Sequence, residues 1–451
     1  MAQIELGKAG HPGGLMSLPW PESSSTTAGS TMHAKRWRAV AAASLGNALE
    51  WFDFVIYGYF AATIARLFFP AQTELESLLI ALATFGITFF VRPLGAILLG
   101  AFADRHGRKA AFMLTIALMM CGTAMVVVTP TYATIGVFAP LTIVLARFIQ
   151  GISAGGGFGS ATAFLAEQDP QRRGFFASWQ FASQGLTTVI AALSGALLTG
   201  VLSADQIDNW GWRLPFVFGL LIGPVAYYLG RHADETAEFR SLRQDLHQDA
   251  TPFLQSLSDA EPRLKTKLLI SLGAVVLCTV LTYTTLFMPG FAVRQLGLPQ
   301  AGSFLATMLM GTIQIVLTPV FGAASDRFGR SPIMLTASAI VIAASYPLFA
   351  WLAASPTLPT LLIVQAIMGL LGAAYMGPLA ALMAELFPTR LRTTGLAVSY
   401  SFCVAIFGGF APFINAWLIG ATGSSVAPSF YLILAAVISF AALTVQQRLR
   451  L

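Results

Sequence analysis

A loop spelled GAFADRHGRK at Gly100–Lys109 returns as GAASDRFGRS at Gly322–Ser331, 222 positions later, and long apolar runs flank each copy. A second pair, FLAEQDPQRRG at Phe164–Gly174 and LMAELFPTRLRTTG at Leu382–Gly395, repeats at an offset of 218. Basic loops at matching places in two apolar halves point to a membrane protein built on an internal structural repeat. The apolar runs fall at 38–60, 77–102, 110–129, 139–166, 175–201 and 213–230, then at 266–293, 301–323, 332–353, 358–385, 394–421 and 427–447. Each is close to the roughly 20 residues a helix needs to cross the hydrocarbon core. The runs are continuous and lack the alternation of barrel strands, so helix is the reading. The expected fold is all-α, with twelve transmembrane helices in two pseudo-symmetric six-helix bundles.

Charge makes up only 10% of the chain, against about 25% in ordinary soluble domains. The net charge of +6 raises the question of nucleic acid, but its distribution argues against it. All but five of the 26 Lys and Arg lie in the N-terminal tail, the even-numbered connections or the C-terminus. That asymmetry is the positive-inside pattern and predicts cytoplasmic termini. Residues 1–34 are rich in Gly, Ser, Thr and Pro and read as a disordered tail without a signal peptide. Residues 35–231 and 266–451 are then the two bundles. Between them 232–265 form the longest polar stretch, where Phe239, Leu242 and Leu246 predict an amphipathic cytoplasmic helix. Cys121, Cys278 and Cys403 lack metal-ligand spacing, and every His lies in a loop or the tail, so no metal site is expected. Neither a nucleophile–base pair nor a cofactor motif is legible, which speaks against an enzyme.

Twelve spans, a central loop and DRxGR in both the second and eighth loops resemble the major facilitator superfamily over everything after about residue 35. NALEWFDFVIYGYF (Asn47–Phe60), FVRPLGAILLGAFADRHGRK (Phe90–Lys109), ARFIQGISAGGGFGSATAFLAE (Ala146–Glu167) and WGWRLPF (Trp210–Phe216) are similar to its metabolite:proton symporter family. The resemblance implies a bacterial inner-membrane carrier, acting as a monomer and driven by the proton gradient without a cofactor. Its cargo would be a small organic anion such as citrate, or alternatively a zwitterionic osmolyte such as proline or betaine, or another metabolite such as shikimate. The chain stops at Leu451 without the long coiled coil that osmosensing members often carry. A non-transporting receptor on the same scaffold is the reading from another class; retention of both gate motifs disfavours it.

Buried ionisable groups are where such a carrier does its chemistry, because a charge inside a bilayer needs a partner, a proton or a water-filled cavity. On the first span Asn47, Glu50, Asp53 and Tyr57 share one helical face. Asp53, and less strongly Glu50, are the candidates for proton coupling; the alternative is a permanent ion pair with Arg92 or Arg147. These two arginines are the basic residues within spans, and a guanidinium fits a carboxylate bidentately. Both are candidate substrate anchors, a role the resemblance also implies. At the 218 offset Arg147 maps to Gln365, so the charge is not duplicated. Tyr57, Gln180, Gln184, Tyr283 and Tyr375 are further candidate substrate contacts, with Ser183, Gln314 and Asn415 as other polar points; each can equally be an interhelical hydrogen bond. Gly151, Gly155 and Gly159 form a small-residue packing stripe. Relatives often carry Glu where this chain has Gly157. Asp104, Arg105 and Arg108 are expected to pair with Glu167, and Asp326, Arg327 and Arg330 with Glu385, as cytoplasmic gates. Asp104 can also face the N-terminus of the eleventh helix.

Overall fold

In lipid each backbone polar group must be satisfied within its own segment, so every apolar run folds as helix. The computed structural model describes residues 25–220, apart from 107 and 156, and residues 262–449. Among the described residues, those up to Ala39 form a small unit of their own, and those from Val40 onward a second, compact one. The first half contains α1 (Ser25–Tyr59), α2 (Ala61–Phe68), α3 (Glu74–His106), α4 (Arg108–Val128), α5 (Tyr132–Ile135), α6 (Phe138–Ser153), α7 (Gly157–Glu167), α8 (Arg173–Val201) and α9 (Ala204–Asn209). Residues 214–220 open the sixth span as helix. The second half contains α10 (Pro262–Arg294), α11 (Gln300–Phe328), α12 (Arg330–Ala354), α13 (Leu358–Leu386), α14 (Arg392–Cys403), α15 (Ala411–Thr422) and α16 (Pro428–Leu449).

Nine stretches among the described residues are long and apolar enough to cross a membrane, and α4 adds a shorter apolar run at Met113–Val128. With α1 and the start of the sixth span, helix stands at each of the twelve expected places. Two boundaries differ from expectation. Helix begins at Ser25, within the expected tail of residues 1–34, and α10 begins at Pro262, inside the expected central loop. The expected amphipathic helix, at 232–261, lies outside the described residues.

Two spans are not continuous α-helix. The fourth breaks between α6 and α7 around Ala154 and Gly155. The eleventh passes through a π turn at Val404–Gly408 before α15, a device that recurs at functional places in helices. The fourth-span glycines pack as a small-residue stripe should. A side chain at Gly151 would strike the backbone of Thr88 and one at Gly155 the backbone of Arg92, both on α3; Gly159 lies against Thr393 of α14. Between the halves the tightest seam is α8 against α11, where a Cβ on Gly185 would lie 2.9 Å from the Gly311 carbonyl oxygen. Lipid offers no hydrophobic drive for helix pairing, so this close approach of backbones is what joins them.

Candidate functional site

The central cavity lies at that seam, between the halves, and is narrow, with a volume of about 30 Å³. From the first half it is walled by Trp51, Phe54, Phe85, Phe181 and Gln184, and from the second by Tyr283, Leu286, Met310, Gln314 and Met376. No charged side chain is among its lining residues. Two polar atoms in its wall, the Tyr283 hydroxyl and Gln184 Nε2, are buried with no hydrogen-bond partner. A buried orphan donor is costly, so both are free to meet a polar ligand. Of the expected contacts, Gln184, Tyr283 and Gln314 reach this cavity.

Arg92 stands one layer behind it. The guanidinium is 1% exposed and lies 5.9 Å from the ring centres of Trp51 and Phe89 and 5.8 Å from that of Tyr400. Trp51 and Tyr283 in turn face each other across the cavity wall at 6.0 Å. Arg92 donates through Nε and Nη2 to the Ala154 carbonyl, at 3.1 and 2.9 Å. The break in the fourth span is what leaves that carbonyl available. Glu50 Oε1 is 3.9 Å from Nη2, too far for a hydrogen bond, and Nη1 has no partner. The same Glu50 carboxylate lies beside Gly157, whose added Cβ would be 2.9 Å from Oε2.

Asp53 and Arg147 occupy a separate pocket inside the first half. Thr123 of α4 donates a hydrogen bond to Asp53 Oδ2, and Gln150 Nε2 of α6 donates to the same Thr123 oxygen at 2.9 Å. Arg147 is fully buried, with its guanidinium carbon 3.7 Å from the centre of the Tyr57 ring. None of its three side-chain nitrogens has a hydrogen-bond partner, and no acid comes within ion-pair distance of it among the described residues. A locked Asp53–Arg147 bridge is therefore not formed.

Several expected contacts turn instead into helix packing. The Tyr57 hydroxyl donates to the Ala81 carbonyl at 3.2 Å. Gln180 and Asn47 exchange hydrogen bonds, joined by Ser183, which ties α1 to α8. Tyr375 donates to the Ala274 carbonyl at 2.6 Å, and Asn415 to Thr284 at 3.1 Å. The polar face of α1 thus points into its own bundle, and its apolar face, with Trp51 and Phe54, meets the cavity. Charge is thereby kept behind the rings, where it finds protein partners, and out of the cavity wall.

At the end carrying the duplicated loops, the halves are clasped in a way the sequence only half foretold. Arg330 binds Glu385 at 3.0 Å, as expected, and also Asp326 at 2.6 Å. Arg327 is exposed. Among the described residues Glu167 pairs with Arg392 of the opposite half, at 2.5 Å, and Arg392 Nε also donates to the Ala384 carbonyl at 2.8 Å. Arg392 was missed, although it sits in the second copy of the repeated LMAELFPTRLRTTG stretch. Asp326 accepts from the backbone N–H groups of Gly174 and Phe175, at 2.8 and 3.0 Å, so it caps the N-terminal end of α8. That is the role expected of Asp104 at the eleventh helix. The side chains of Asp104, Arg105 and Arg108 lie outside the described ones. At the opposite end Arg294 approaches Glu74 of the other half at 3.9 Å.

The sequence model of the sugar (and other) transporter family matches residues 39–270, more than half of the chain, and that of the major facilitator superfamily matches residues 271–448. The chain belongs to the major facilitator superfamily. Among its superfamily relatives are citrate-proton symporters of Klebsiella pneumoniae and Salmonella typhi. Each is 36% identical, the first over 90% of this chain and 91% of its own length, the second over 91% and 94%. The proline/betaine transporter of Escherichia coli K12 is 31% identical over 89% of this chain and 81% of its own. A crystal structure of D-xylose-proton symporter superposes with a TM-score of 0.69 at 17% identity, covering 89% of this chain and 96% of that one. That likeness speaks for the fold alone, which is the superfamily's all-helical one. The chain is a multi-span membrane transport protein and not an enzyme.

Proposed function

We propose that this chain takes up a small organic acid of the citrate class together with protons, across the bacterial inner membrane, by alternating access. The observation that carries this reading is Arg92. It is a buried guanidinium with a free Nη1, one ring away from the central cavity, and its nearest acid is beyond hydrogen-bond reach. Two carboxylates and two guanidiniums (Glu50, Asp53, Arg92, Arg147) balance inside the first half. Each proton taken up by a carboxylate leaves one cationic charge uncompensated, and an anionic cargo restores neutrality in a medium where net charge is costly. Glu50 is the natural competitor for Arg92: once protonated it releases the guanidinium to the cargo. Gln184 and Tyr283 then supply neutral donors from the two halves. In this reading the carrier works as a monomer with both termini in the cytoplasm. The clasped end is the cytoplasmic gate, residues 35–231 and 266–451 are the rocking halves, and the proton gradient is the energy source without any cofactor.

Proteoliposomes holding the purified protein, with an acid exterior, are expected to accumulate labelled citrate. Arg92→Ala is expected to abolish this while the protein keeps its melting temperature. No gradient-dependent citrate uptake, or equal uptake by Arg92→Ala, would sink the reading. The uncharged aromatic wall favours a second reading, a zwitterion with a quaternary ammonium group held by cation–π contact with Trp51 and Tyr283. Uptake of labelled betaine in place of citrate, in the same vesicles, would select it.

A further inference from the structure

Thr123 and Gln150 belong to no expected site, yet they hold Asp53 more closely than any charged group does. The Thr123 hydroxyl has one proton to give and two acceptors within reach. It donates to Asp53 Oδ2, and the Met119 carbonyl of the preceding turn lies 3.0 Å away. It also receives a hydrogen bond from Gln150 Nε2, at 2.9 Å. A hydroxyl offers one donor and two acceptor positions; here its donor is used in either protonation state of the acid, with one acceptor position filled when the acid is ionised and both when it is protonated. When Asp53 is ionised, Thr123 donates to it and accepts from Gln150. When Asp53 carries a proton, the acid donates to Thr123, whose own proton turns to the Met119 carbonyl while the Gln150 bond stays. No buried partner is orphaned by the change.

We infer that Thr123, oriented by Gln150, is a positioning residue for proton coupling: a hydroxyl that rotates between Met119 and Asp53 so that the acid can load and unload its proton without stranding a hydrogen bond. The inference rests on the reading of Asp53 as a proton carrier. The groups packed around Asp53 leave the rotation free to decide the outcome. Arg147 of α6 is the charged group set against it, and Tyr57, one turn along α1, is the titratable neighbour beneath that guanidinium. Glu50, a turn earlier, is directed to Arg92. α4 presents Thr123, and the sixth-span segment presents Gly219, whose added Cβ would contact Asp53 Oδ1; neither residue titrates. Oδ1 and the Gln150 Oε1 are both buried without a partner, the arrangement expected where water delivers a proton.

The test is a pH titration of the purified protein in liposomes by infrared difference spectroscopy, reading the protonated-carboxyl band that Asp53→Asn removes. This readout needs no substrate. Thr123→Val keeps the side chain's shape but deletes the hydroxyl. The ionised acid loses a charge-assisted bond and the neutral acid a weaker one, so the midpoint of the band is expected to rise by about one pH unit. Thr123→Ser is expected to restore the original midpoint. Net proton-driven uptake by Thr123→Val should fall through its maximal rate, with KM held, because unloading is what becomes harder. An unchanged midpoint in Thr123→Val, or a shift that Thr123→Ser does not reverse, overturns the inference. If Asp53→Asn removes no titrating band, it is the proton-carrier reading of Asp53 that fails, whatever Thr123 does.

Discussion

The clasp between Glu167 and Arg392 offers the most direct measurement of how firmly the loop-bearing end is held. Arg392 Nη1 meets Glu167 Oε1 at 2.5 Å, and their side chains are 10% and 39% exposed. A charge-assisted hydrogen bond contributes about 1.5–3 kcal/mol when well shielded, and an exposed pair about 0–1 kcal/mol. The exposure of Glu167 places this pair near the lower figure, at about 1 kcal/mol. Glu167→Gln keeps the shape and removes the charge, and Arg392 stays oriented by the Ala384 carbonyl. The open-to-closed ratio at that end should then rise about fivefold, since every 1.4 kcal/mol is tenfold. A carrier open at this end roughly one-tenth of the time would become open about one-third of the time. Asp326→Asn removes the charge that caps α8, also across the halves; it adds about 1 kcal/mol, and the double variant should shift the ratio about thirtyfold. Spin labels on Gln171 and Thr389, read by pulsed dipolar spectroscopy in nanodiscs, report the two populations. An unaltered distance distribution in the double variant would refute the view that these contacts set the closed state.

Other substitutions bear on separate parts of the cycle. Tyr283→Phe removes the orphan hydroxyl from the cavity wall and should raise KM for the cargo about tenfold, measured by uptake kinetics, with the fold intact by melting temperature. Gly157→Glu places a second carboxylate against Glu50; two acids in contact cannot both ionise, so the pH profile of uptake should extend to higher pH. Gly185→Leu drives a side chain into the Gly311 backbone and should abolish transport, with the protein still reaching the membrane, as quantified by surface labelling. Arg294→Gln, which removes a 3.9 Å contact to an exposed Glu74, should change uptake less than twofold.

The fold was legible because lipid imposes one rule on every span, and the repeated loops fixed how the halves correspond. The gate was partly legible. Acid–base spelling at Arg330 and Glu385 gave the right partners, since those residues are local to one end of one half. The contact of Glu167 with Arg392 was not, because sequence spacing says nothing about contacts across the halves; an arginine at the head of the eleventh span was the available signal. Within the first half, helical spacing put Glu50, Asp53 and Tyr57 on one face, but it could not say whether that face meets the cavity or the bundle interior. Trp51 and Phe54 on the opposite side decide it, by being the rings that wall the cavity. Thr123 and Gln150 escaped notice for a simpler reason: hydroxyls and amides are common within spans, and only coordinates reveal which of them touches an acid.

The glycine contact between α8 and α11 has a mechanical consequence. With no side chain between the two backbones at Gly185 and Gly311, that point behaves as a fulcrum. At 1.5 Å per residue it lies about 18 Å from one tip of α8 and about 24 Å from the other. A tilt of roughly 15°, the size of known subunit rotations, would swing those tips by about 5–6 Å while the midpoint scarcely moves. Each vestibule can thus gape wide enough for a small metabolite without the molecule ever coming apart at its waist.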